Sequence, residues 1–266
     1  MRVLFIGDVF GDAGRRVLAE HLGEVQRKYA VDFTIANGEN CAGGRGITIP
    51  MAKKMRKYGV DVITGGNHST AHLEVYDDVK LSEVVLRPHN MAKLSSGKGY
   101  TLIELPHGQK IAVINVMGKT FMKTKVRCPF KTIDALLEEI TPQTALVFVD
   151  FHAEVTSEKI CLAHYFDGRV SAIVGTHTHV QTADERILPK GTAFLSDAGM
   201  TGAEYSAIGM EHEPIIERMI HGTKQAFSQA KSDPMINGVV IDIDTRTGKA
   251  VSIERVFNRY QFEKEE

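Results

Sequence analysis

Residues 1–29 read MRVLFIGDVFGDAGRRVLAEHLGEVQRKY, and this stretch decides the fold class. The uninterrupted apolar run from Val3 to Ile6 is typical of a strand that is buried on both faces. Gly11 to Tyr29 predicts a helix, because apolar residues such as Leu18 and Leu22 recur on one helical face. A buried strand followed at once by an amphipathic helix predicts an α/β protein.

The alternation of strand and helix continues along the chain and is then interrupted by hairpins. Further strands are expected at 31–36, 60–64, 145–149 and 170–174, and helices at 48–58, 70–80, 132–140 and 154–165. Two hairpins are expected, one from 100–105 and 111–116, the other from 239–243 and 250–256. Hairpins within a β-α pattern favour mixed sheets over a purely parallel one. The sequence therefore predicts an α/β fold of two mixed sheets that form a β-sandwich flanked by helices.

No linker or repeat divides the chain, so we expect a single domain over residues 1–266, with 118–130 as an insertion near the site. The net charge of −1 gives no broad attraction to nucleic acid or to a membrane surface. Cys41, Cys128 and Cys161 are sparse and odd in number, which fits a reducing compartment. No apolar stretch approaches the roughly 20 residues that span a bilayer. We expect a cytoplasmic protein with no membrane partner.

Five of the expected strands are each followed at once by residues that could bind a metal ion. The groups are Gly7-Asp8, Asn37-Gly38-Glu39-Asn40, Gly65-Gly66-Asn67-His68, Asp150-Phe151-His152 and Gly175-Thr176-His177-Thr178-His179. Ligands of open α/β sheets bind beyond the carboxyl ends of the strands, so the five groups could converge. Carboxylate, amide and imidazole ligands together favour manganese, iron, zinc or cobalt over calcium. The lack of a cysteine pair argues against a structural thiolate zinc site.

Each of these residues alone also has an ordinary structural interpretation. Asp8 could be a turn residue or a helix cap, and the asparagines could hold turns. His152 could be a hydrogen-bonded core histidine. His177 and His179 form a stronger signal, because a spacing of two directs both to one side of an extended segment. Since all the groups share one edge of the sheets, the joint pattern favours a metal site.

The number of candidate ligands suits two metal ions better than one. They are Asp8, Glu39, Asn40, Asn67, His152, His177 and His179. In this arrangement Glu39 is the shared, bridging carboxylate. Two ions about 3.5–4 Å apart can activate water and stabilise a displacement at phosphorus. Cys41 lies beside Asn40 but is better explained as a small buried filler than as a ligand. The pattern predicts a dinuclear, metal-dependent centre that acts on phosphoesters, and a phosphodiesterase is the function that we favour.

Six sequence strings carry a resemblance that covers nearly the whole chain. They are GDVFG at 7–11, NGEN at 37–40, GGNH at 65–68, DFHAEVTSEK at 150–159, GTHTHVQT at 175–182 and DAGMTG at 197–202. Together they resemble the calcineurin-like metallophosphoesterase superfamily, and within it the bacterial YmdB-like branch. The resemblance implies a β-sandwich flanked by helices. It also implies hydrolysis of nucleoside 2′,3′-cyclic phosphates.

The resemblance further implies how the ligands are shared between two divalent or trivalent ions. One ion would take Asp8, Glu39, Asn40 and His179, and the other would take Glu39, Asn67, His152 and His177. Phe10 stands where the superfamily usually has a histidine ligand, and Asn40 takes that place in this branch. Iron is the metal that the resemblance favours, with manganese and zinc as alternatives.

His68 matches a family histidine whose implied role is that of the general acid, protonating the leaving oxygen. The alternative is that His68 only orients a phosphate oxygen. The branch commonly continues after GGNH with an aromatic residue and an aspartate, whereas this chain has Ser69-Thr70-Ala71. This departure concerns the wall that faces the substrate, and it leaves the metal ligands unchanged.

Two other functions remain open at this point. The first is a phosphomonoesterase or phosphoprotein phosphatase with the same metal centre. The second is a nucleotide- or RNA-associated regulatory protein with little turnover, for which the Lys-rich segment from Lys119 to Lys131 is the feature to test. A solvated surface loop is the ordinary explanation of that segment. The expected partner is a small phosphodiester or nucleotide, and association into a homo-oligomer is compatible with the sequence.

Overall fold

Two β-sheets pack face to face, with helices against their outer faces, in a computed structural model that describes residues 1–91 and 96–262. The strands are β1 (Arg2–Ile6), β2 (Asp8–Val9), β3 (Phe33–Asn37), β4 (Val62–Thr64), β5 (Tyr100–Glu104), β6 (Lys110–Met117), β7 (Leu146–His152), β8 (Ala172–Thr176), β9 (Arg186–Ile187), β10 (Ala193–Leu195), β11 (Met200–Ala203), β12 (Pro234–Ile243) and β13 (Ala250–Arg259). The α-helices are α1 (Gly11–Lys28), α2 (Ile49–Lys57), α3 (Pro129–Ile140), α4 (Thr156–Phe166) and α5 (His212–His221).

Both sheets mix parallel and antiparallel pairs, as predicted. The first has the order β2-β11-β12-β1-β3-β4, with β13 also paired to β12. The second has the order β5-β6-β7-β8-β10-β9. In the first sheet β1, β3 and β4 are parallel, and in the second β6, β7 and β8 are parallel. The carboxyl ends of each parallel set therefore lie along a common edge of its sheet.

Successive side chains of each strand point to opposite faces of the sheet, so the core forms in layers. Val3 and Phe5 of β1 face the second sheet, where the Phe5 ring stacks on Phe148 at a centroid distance of 5.2 Å. Leu4 and Ile6 face the other way, onto α1 and α2. Fully burying a side chain of this size contributes roughly 1.5–3 kcal/mol to stability. Helices α3 and α4 cover the outer face of the second sheet in the same manner.

The prediction of a helix over residues 70–80 was wrong. The structure has only a short 3₁₀ turn there, from Leu73 to Tyr76. The carboxylate of Asp78 accepts the backbone N–H of Lys80 at 3.0 Å, a local bond that competes with helix formation. Helix α5 was not predicted, and none of its residues is buried.

The segment between β6 and α3 is irregular, as predicted. Helix α3 begins at Pro129, earlier than expected, because a proline fits the first turn of a helix. The segment starts beside the edge that carries the candidate ligands, since the N–H of Gly118 donates to the carbonyl of His152 at 3.0 Å. That it is an insertion stays a prediction, as does the single-domain boundary. Among the described helices, none combines the length and apolar character that crossing a membrane requires.

Candidate metal centre

The carboxyl ends of five strands, from both sheets, bring the seven candidate ligands together. Asp8 follows β1, Glu39 and Asn40 follow β3, Asn67 follows β4, His152 ends β7, and His177 and His179 follow β8. Sequence analysis placed His152 just after a strand, whereas the structure extends that strand to include it. The predicted convergence is therefore present in the geometry. The role of these residues as ligands stays a prediction.

One group of ligand atoms gathers around the Nε2 atom of His152. Oδ1 of Asn67 lies 2.9 Å from it, Nδ1 of His177 lies 3.1 Å from it, and Oε1 of Glu39 lies 3.1 Å from it. Ligand atoms of Glu39, His152 and His177 all lie within 4.8 Å of one another. This spacing is what a single metal ion requires of its ligands.

A second group lies on the other side of Glu39. Nε2 of His179 is 3.8 Å from Oδ1 of Asp8. The amide of Asn40 lies between them, with its Nδ2 at 3.2 Å from His179 Nε2, 3.3 Å from Asp8 Oδ1 and 3.4 Å from Glu39 Oε1. The two ends of an amide have the same shape, so a half-turn presents the oxygen of Asn40 at this position. Oε1 of Glu39 is thus the atom that both groups share.

Hydrogen bonds fix the ring nitrogens of two histidines in the form that binds metal. Oγ1 of Thr176 lies 2.9 Å from Nδ1 of His152 and donates its own proton to Asp150 at 2.7 Å. Because that proton is used, the hydroxyl oxygen accepts the Nδ1 proton of His152. Nδ1 of His179 likewise donates to the carbonyl of Ile208 at 3.0 Å. In the neutral rings, Nε2 of both histidines therefore directs a lone pair into the site.

The buried carboxylates of the cluster carry negative charge that a cation would neutralise. Burial opposes ionisation of Glu39, but the His152 imidazolium and its hydrogen bond lower the pKa of Glu39 to about 2. Burial also opposes protonation of His152, yet Glu39 and Asp8 raise its pKa to about 9. Burial and the charge of His152 lower the pKa of His177 to about 3. A metal ion would supply the positive charge that the proton on His152 otherwise supplies, so the residues fit a metal centre.

Asp150 joins the two sheets directly beneath the site. Its carboxylate accepts hydrogen bonds from Asn37 at 2.9 Å, Thr64 at 2.5 Å and Thr176 at 2.7 Å. The first two donors belong to the first sheet, whereas Asp150 and Thr176 belong to the second. Burial raises the pKa of Asp150 to about 6, an effect that the charge of His152 opposes. Asn37 and Asp150 therefore support the ligands and do not face the cluster themselves.

The loop that carries His177 and His179 is strained and is held by a buried ion pair. The two histidines have φ angles of 104° and 65°, in a region that residues other than glycine rarely adopt. Nζ of Lys159 lies 2.8 Å from the carboxylate of Asp197 and donates to the carbonyl of Thr176 at 3.0 Å. The same carboxylate oxygen accepts the N–H of Thr178 at 3.0 Å. Sequence analysis missed this pair, although both residues lie in the strings that carried the resemblance.

His68 lies at the rim of the cluster and is half-buried. Its backbone N–H donates to Oε2 of Glu39 at 3.0 Å, which ties it to the shared carboxylate. Burial lowers the pKa of His68, Glu39 opposes this effect, and the charge of Arg45 lowers the pKa further. In the free protein this direction works against a proton held at neutral pH. An anionic group bound beside the ring would raise the pKa again.

Two neighbours of the ligands are apolar. Cys41 is fully buried among aliphatic side chains, and burial raises the pKa of its thiol to about 12, so it stays protonated as the predicted filler. Phe10 packs its ring edge-on against His179 at a centroid distance of 5.7 Å. Its ring is enclosed by Gly44 and Gly209, where a Cβ atom would come within 2.9 and 2.5 Å of it, respectively. Phe10 is therefore a wall of the site.

Gly66→Ala is expected to lower the metal content of the purified protein. A Cβ atom at this position would overlap Oε2 of Glu39 and Nε2 of His152, two of the groups that must face an ion. Elemental analysis of the folded variant measures the effect. Gly23→Ala on α1, where a Cβ meets only the tip of Arg27 at 3.4 Å, is the matched control. Equal metal content in the two variants would contradict the geometry described above.

Lys159→Met is expected to lower the free energy of unfolding by about 3–5 kcal/mol, because it leaves the buried Asp197 carboxylate without its cation. Urea unfolding measures the loss. The double variant Lys159→Met/Asp197→Asn should recover part of it. Lys53→Met, which breaks an exposed ion pair with Asp78, is the control and should cost no more than about 1 kcal/mol. A similar cost for the Lys159 and Lys53 variants would refute the role of the buried pair.

Comparison with known proteins agrees with this fold and with the sequence motifs. The chain is 46% identical over 256 residues to the 2′,3′-cyclic-nucleotide 2′-phosphodiesterase of Bacillus subtilis (strain 168), with 96% of each chain covered. A crystal structure of a novel phosphatase from Mycoplasma pneumoniae matches with a TM-score of 0.91 and 34% identity, over 98% of this chain and 94% of that one.

A second crystal structure, of a hypothetical protein from Thermus thermophilus, matches with a TM-score of 0.89 and 41% identity. It covers 98% of this chain and 100% of that chain. The family described as YmdB-like protein matches residues 4–256. The resemblance drawn from the six strings is thus confirmed, and so is the predicted fold. This chain belongs to the YmdB-like protein family.

Proposed function

We propose that this protein is a dinuclear metal-dependent phosphodiesterase that hydrolyses nucleoside 2′,3′-cyclic phosphates. The observation that carries the proposal is the position of Glu39 Oε1, 3.1 Å from His152 on one side and 3.4 Å from Asn40 on the other. A carboxylate shared between two sets of ligands is the arrangement that two-metal phosphoester chemistry uses. The name of the Bacillus subtilis relative supports the choice of substrate.

The metal ligands would divide as the two groups of atoms divide. The first ion would be held by Asp8, Glu39, Asn40 and His179, and the second by Glu39, Asn67, His152 and His177. When bound, the metals would neutralise charge at phosphorus and activate a water molecule. Iron, manganese and zinc all accept this mixture of nitrogen and oxygen ligands, and iron is the proposed metal. A cytoplasmic location is part of the same proposal.

His68 is proposed to act on the leaving oxygen. Hydrolysis adds the oxygen of water to phosphorus and breaks one bond from phosphorus to a ribose oxygen, which must gain a proton. His68 lies beside the shared carboxylate, which its backbone N–H contacts, and within the described residues its ring makes no hydrogen bond to a candidate ligand. Burial lowers its pKa, and the charge of a bound phosphate would raise that pKa and favour the protonated imidazole.

Two assays on anaerobically purified protein test the proposed function. Metal content and activity are measured after reconstitution with iron, manganese or zinc. Activity is compared on a 2′,3′-cyclic nucleotide, a linear diester and a phosphoserine peptide, with the cyclic nucleotide expected to turn over fastest. Faster turnover of the phosphopeptide would favour the phosphatase alternative. Binding of nucleotide without turnover of any substrate would favour a regulatory protein.

Glu39→Gln is expected to lower the occupancy of both metal ions, because the variant removes the one charge that both groups share. Elemental analysis after reconstitution gives the metal content per chain. Glu24→Gln, an exposed position on α1, is the control and should keep full occupancy. Loss of a single ion, or of none, would show that Glu39 does not bridge.

His68→Ala is expected to lower turnover of a cyclic nucleotide by about 10²–10⁴-fold at unchanged metal content, the range typical of a lost general acid. Turnover of bis(4-nitrophenyl) phosphate should fall far less, because nitrophenolate leaves without a proton. His72→Ala, four residues further along the same loop, is the control. An equal loss on both substrates would assign His68 to orienting the phosphate and not to proton transfer.

The Lys-rich segment offers a surface for the alternative of RNA association. Lys119, Lys123 and Lys125 are exposed, and backbone N–H groups of Lys119 and Thr120 donate to Glu158. Neutralising these lysines should leave hydrolysis of a mononucleotide intact. RNA association and assembly into a homo-oligomer stay predictions.

A further inference from the structure

The loop that follows Asn40 carries a positively charged side chain beside the proposed metal centre. Its backbone is fixed by hydrogen bonds from Ala42 to the carbonyl of Gly46 at 2.8 Å, from Gly44 to Asn40 at 3.0 Å, and from Arg45 to Ala42 at 3.1 Å. Gly44 and Gly46 have φ angles of 89° and 75°, which glycine adopts without strain. The loop is therefore held by its main chain, and the side chain of Arg45 is not needed to hold it.

Packing places this loop against the one that carries His68. A Cβ atom at Gly46 would lie 2.9 Å from Cβ of Ala71, 2.9 Å from Cδ2 of His72 and 3.4 Å from the carbonyl oxygen of His68. Only glycine allows so close an approach. Arg45, the neighbour of Gly46, consequently borders His68 at the rim of the site. The contribution of its charge to the lowered pKa of His68, after that of burial, agrees with this placement.

The guanidinium of Arg45 is exposed, and within residues 1–91 and 96–262 no acidic or carbonyl group pairs with it. Arg15 nearby shows the contrast, since it binds both Asp12 at 2.9 Å and the carbonyl of Cys41. An arginine that stabilises a fold is normally paired in this way. A guanidinium left free beside a site for anions has its donors available for a ligand.

We propose that Arg45 binds the nonbridging phosphoryl oxygens on the His68 side of the site and is a catalytic residue of the hydrolysis. This rests on the proposed function and extends it by a residue that contacts the substrate. The planar guanidinium offers paired N–H donors that match two phosphate oxygens. Those oxygens carry negative charge in the substrate, in the transition state and in the monophosphate product. The ligand class is any phosphoryl anion that reaches the centre, orthophosphate included.

The exposed lysines at the start of the Lys-rich segment provide the control for long-range attraction. Lys119 follows Gly118, which is hydrogen-bonded to the main chain of the metal ligand His152, so it too lies near the site. If the site attracts anions only by long-range electrostatics, the loss of Arg45 or of Lys119 should weaken that attraction equally. Direct contact would be lost only with Arg45, and it would survive at high ionic strength, where attraction between exposed charges is screened.

The test compares Arg45→Ala, Arg45→Lys and Lys119→Ala with the wild type, each loaded with manganese. Isothermal calorimetry measures the Kd for orthophosphate, and kinetics measure kcat/KM on a 2′,3′-cyclic nucleotide.

We expect Arg45→Ala to weaken orthophosphate binding by about 10-fold or more, as for a lost hydrogen bond to a charged group. Its kcat/KM should fall by roughly 10²-fold, as for a lost donor to transition-state charge. Free guanidinium ion should restore part of this activity, and Arg45→Lys should be intermediate.

At high ionic strength, Lys119→Ala should have the same orthophosphate Kd and kcat/KM as the wild type. Free guanidinium ion should not change the kcat/KM of this variant. Orthophosphate affinity and kcat/KM of Arg45→Ala that stay within about twofold of the wild type would overturn the proposal, since a lost ionic hydrogen bond costs more. An equal loss in Lys119→Ala would also overturn it. If the wild type binds orthophosphate but cleaves no diester, the proposed function fails while calorimetry still decides the role of Arg45.

Discussion

The contact between Glu39 and His152 is the constraint on which the rest of the site depends. Glu39 follows a strand of the first sheet and His152 ends a strand of the second, and both side chains are sealed from water. A buried carboxylate stays ionised only beside a positive charge. The two sheets must therefore close with these edges aligned, and Asp150 fixes that alignment through donors from both sheets. Burial of the apolar core between the sheets drives their packing, and the polar cluster fixes how the two sheets are aligned.

The backbone conformation of the loop that carries two of the candidate ligands lowers the stability of that loop. His177 and His179 occupy strained backbone regions, each of which costs of order 1–3 kcal/mol. Such strain persists only where surrounding contacts fix the backbone, and Lys159 and Asp197 supply them from beneath the loop. The two histidines thus hold their positions before any ligand arrives. This preorganisation lowers the cost of ordering the ligands around an ion.

The fold and the convergence of the candidate ligands could be predicted from local signals, because strand ends and polar groups lie next to each other along the chain. Glu39 and Asn40, for example, follow closely after residues 31–36, where apolar and polar side chains alternate as in a strand. Lys159 could not be interpreted in this way. It lies within a helix, and its partner Asp197 is 38 positions away, so no spacing rule connects them. The helix expected at 70–80 failed for a different reason, since a local turn formed by Asp78 competes with the helix and its apolar residues do not signal that turn.

The packing around Phe10 restricts which side chains this part of the site can accept. By resemblance, its ring stands where the superfamily usually has a histidine, and two glycines from separate loops close around it. The space between these glycines fits the Phe10 ring. Replacing Phe10 with histidine would leave a void and would place a polar ring among apolar atoms. The neighbours of position 10, which are not themselves candidate ligands, thus disfavour a histidine there.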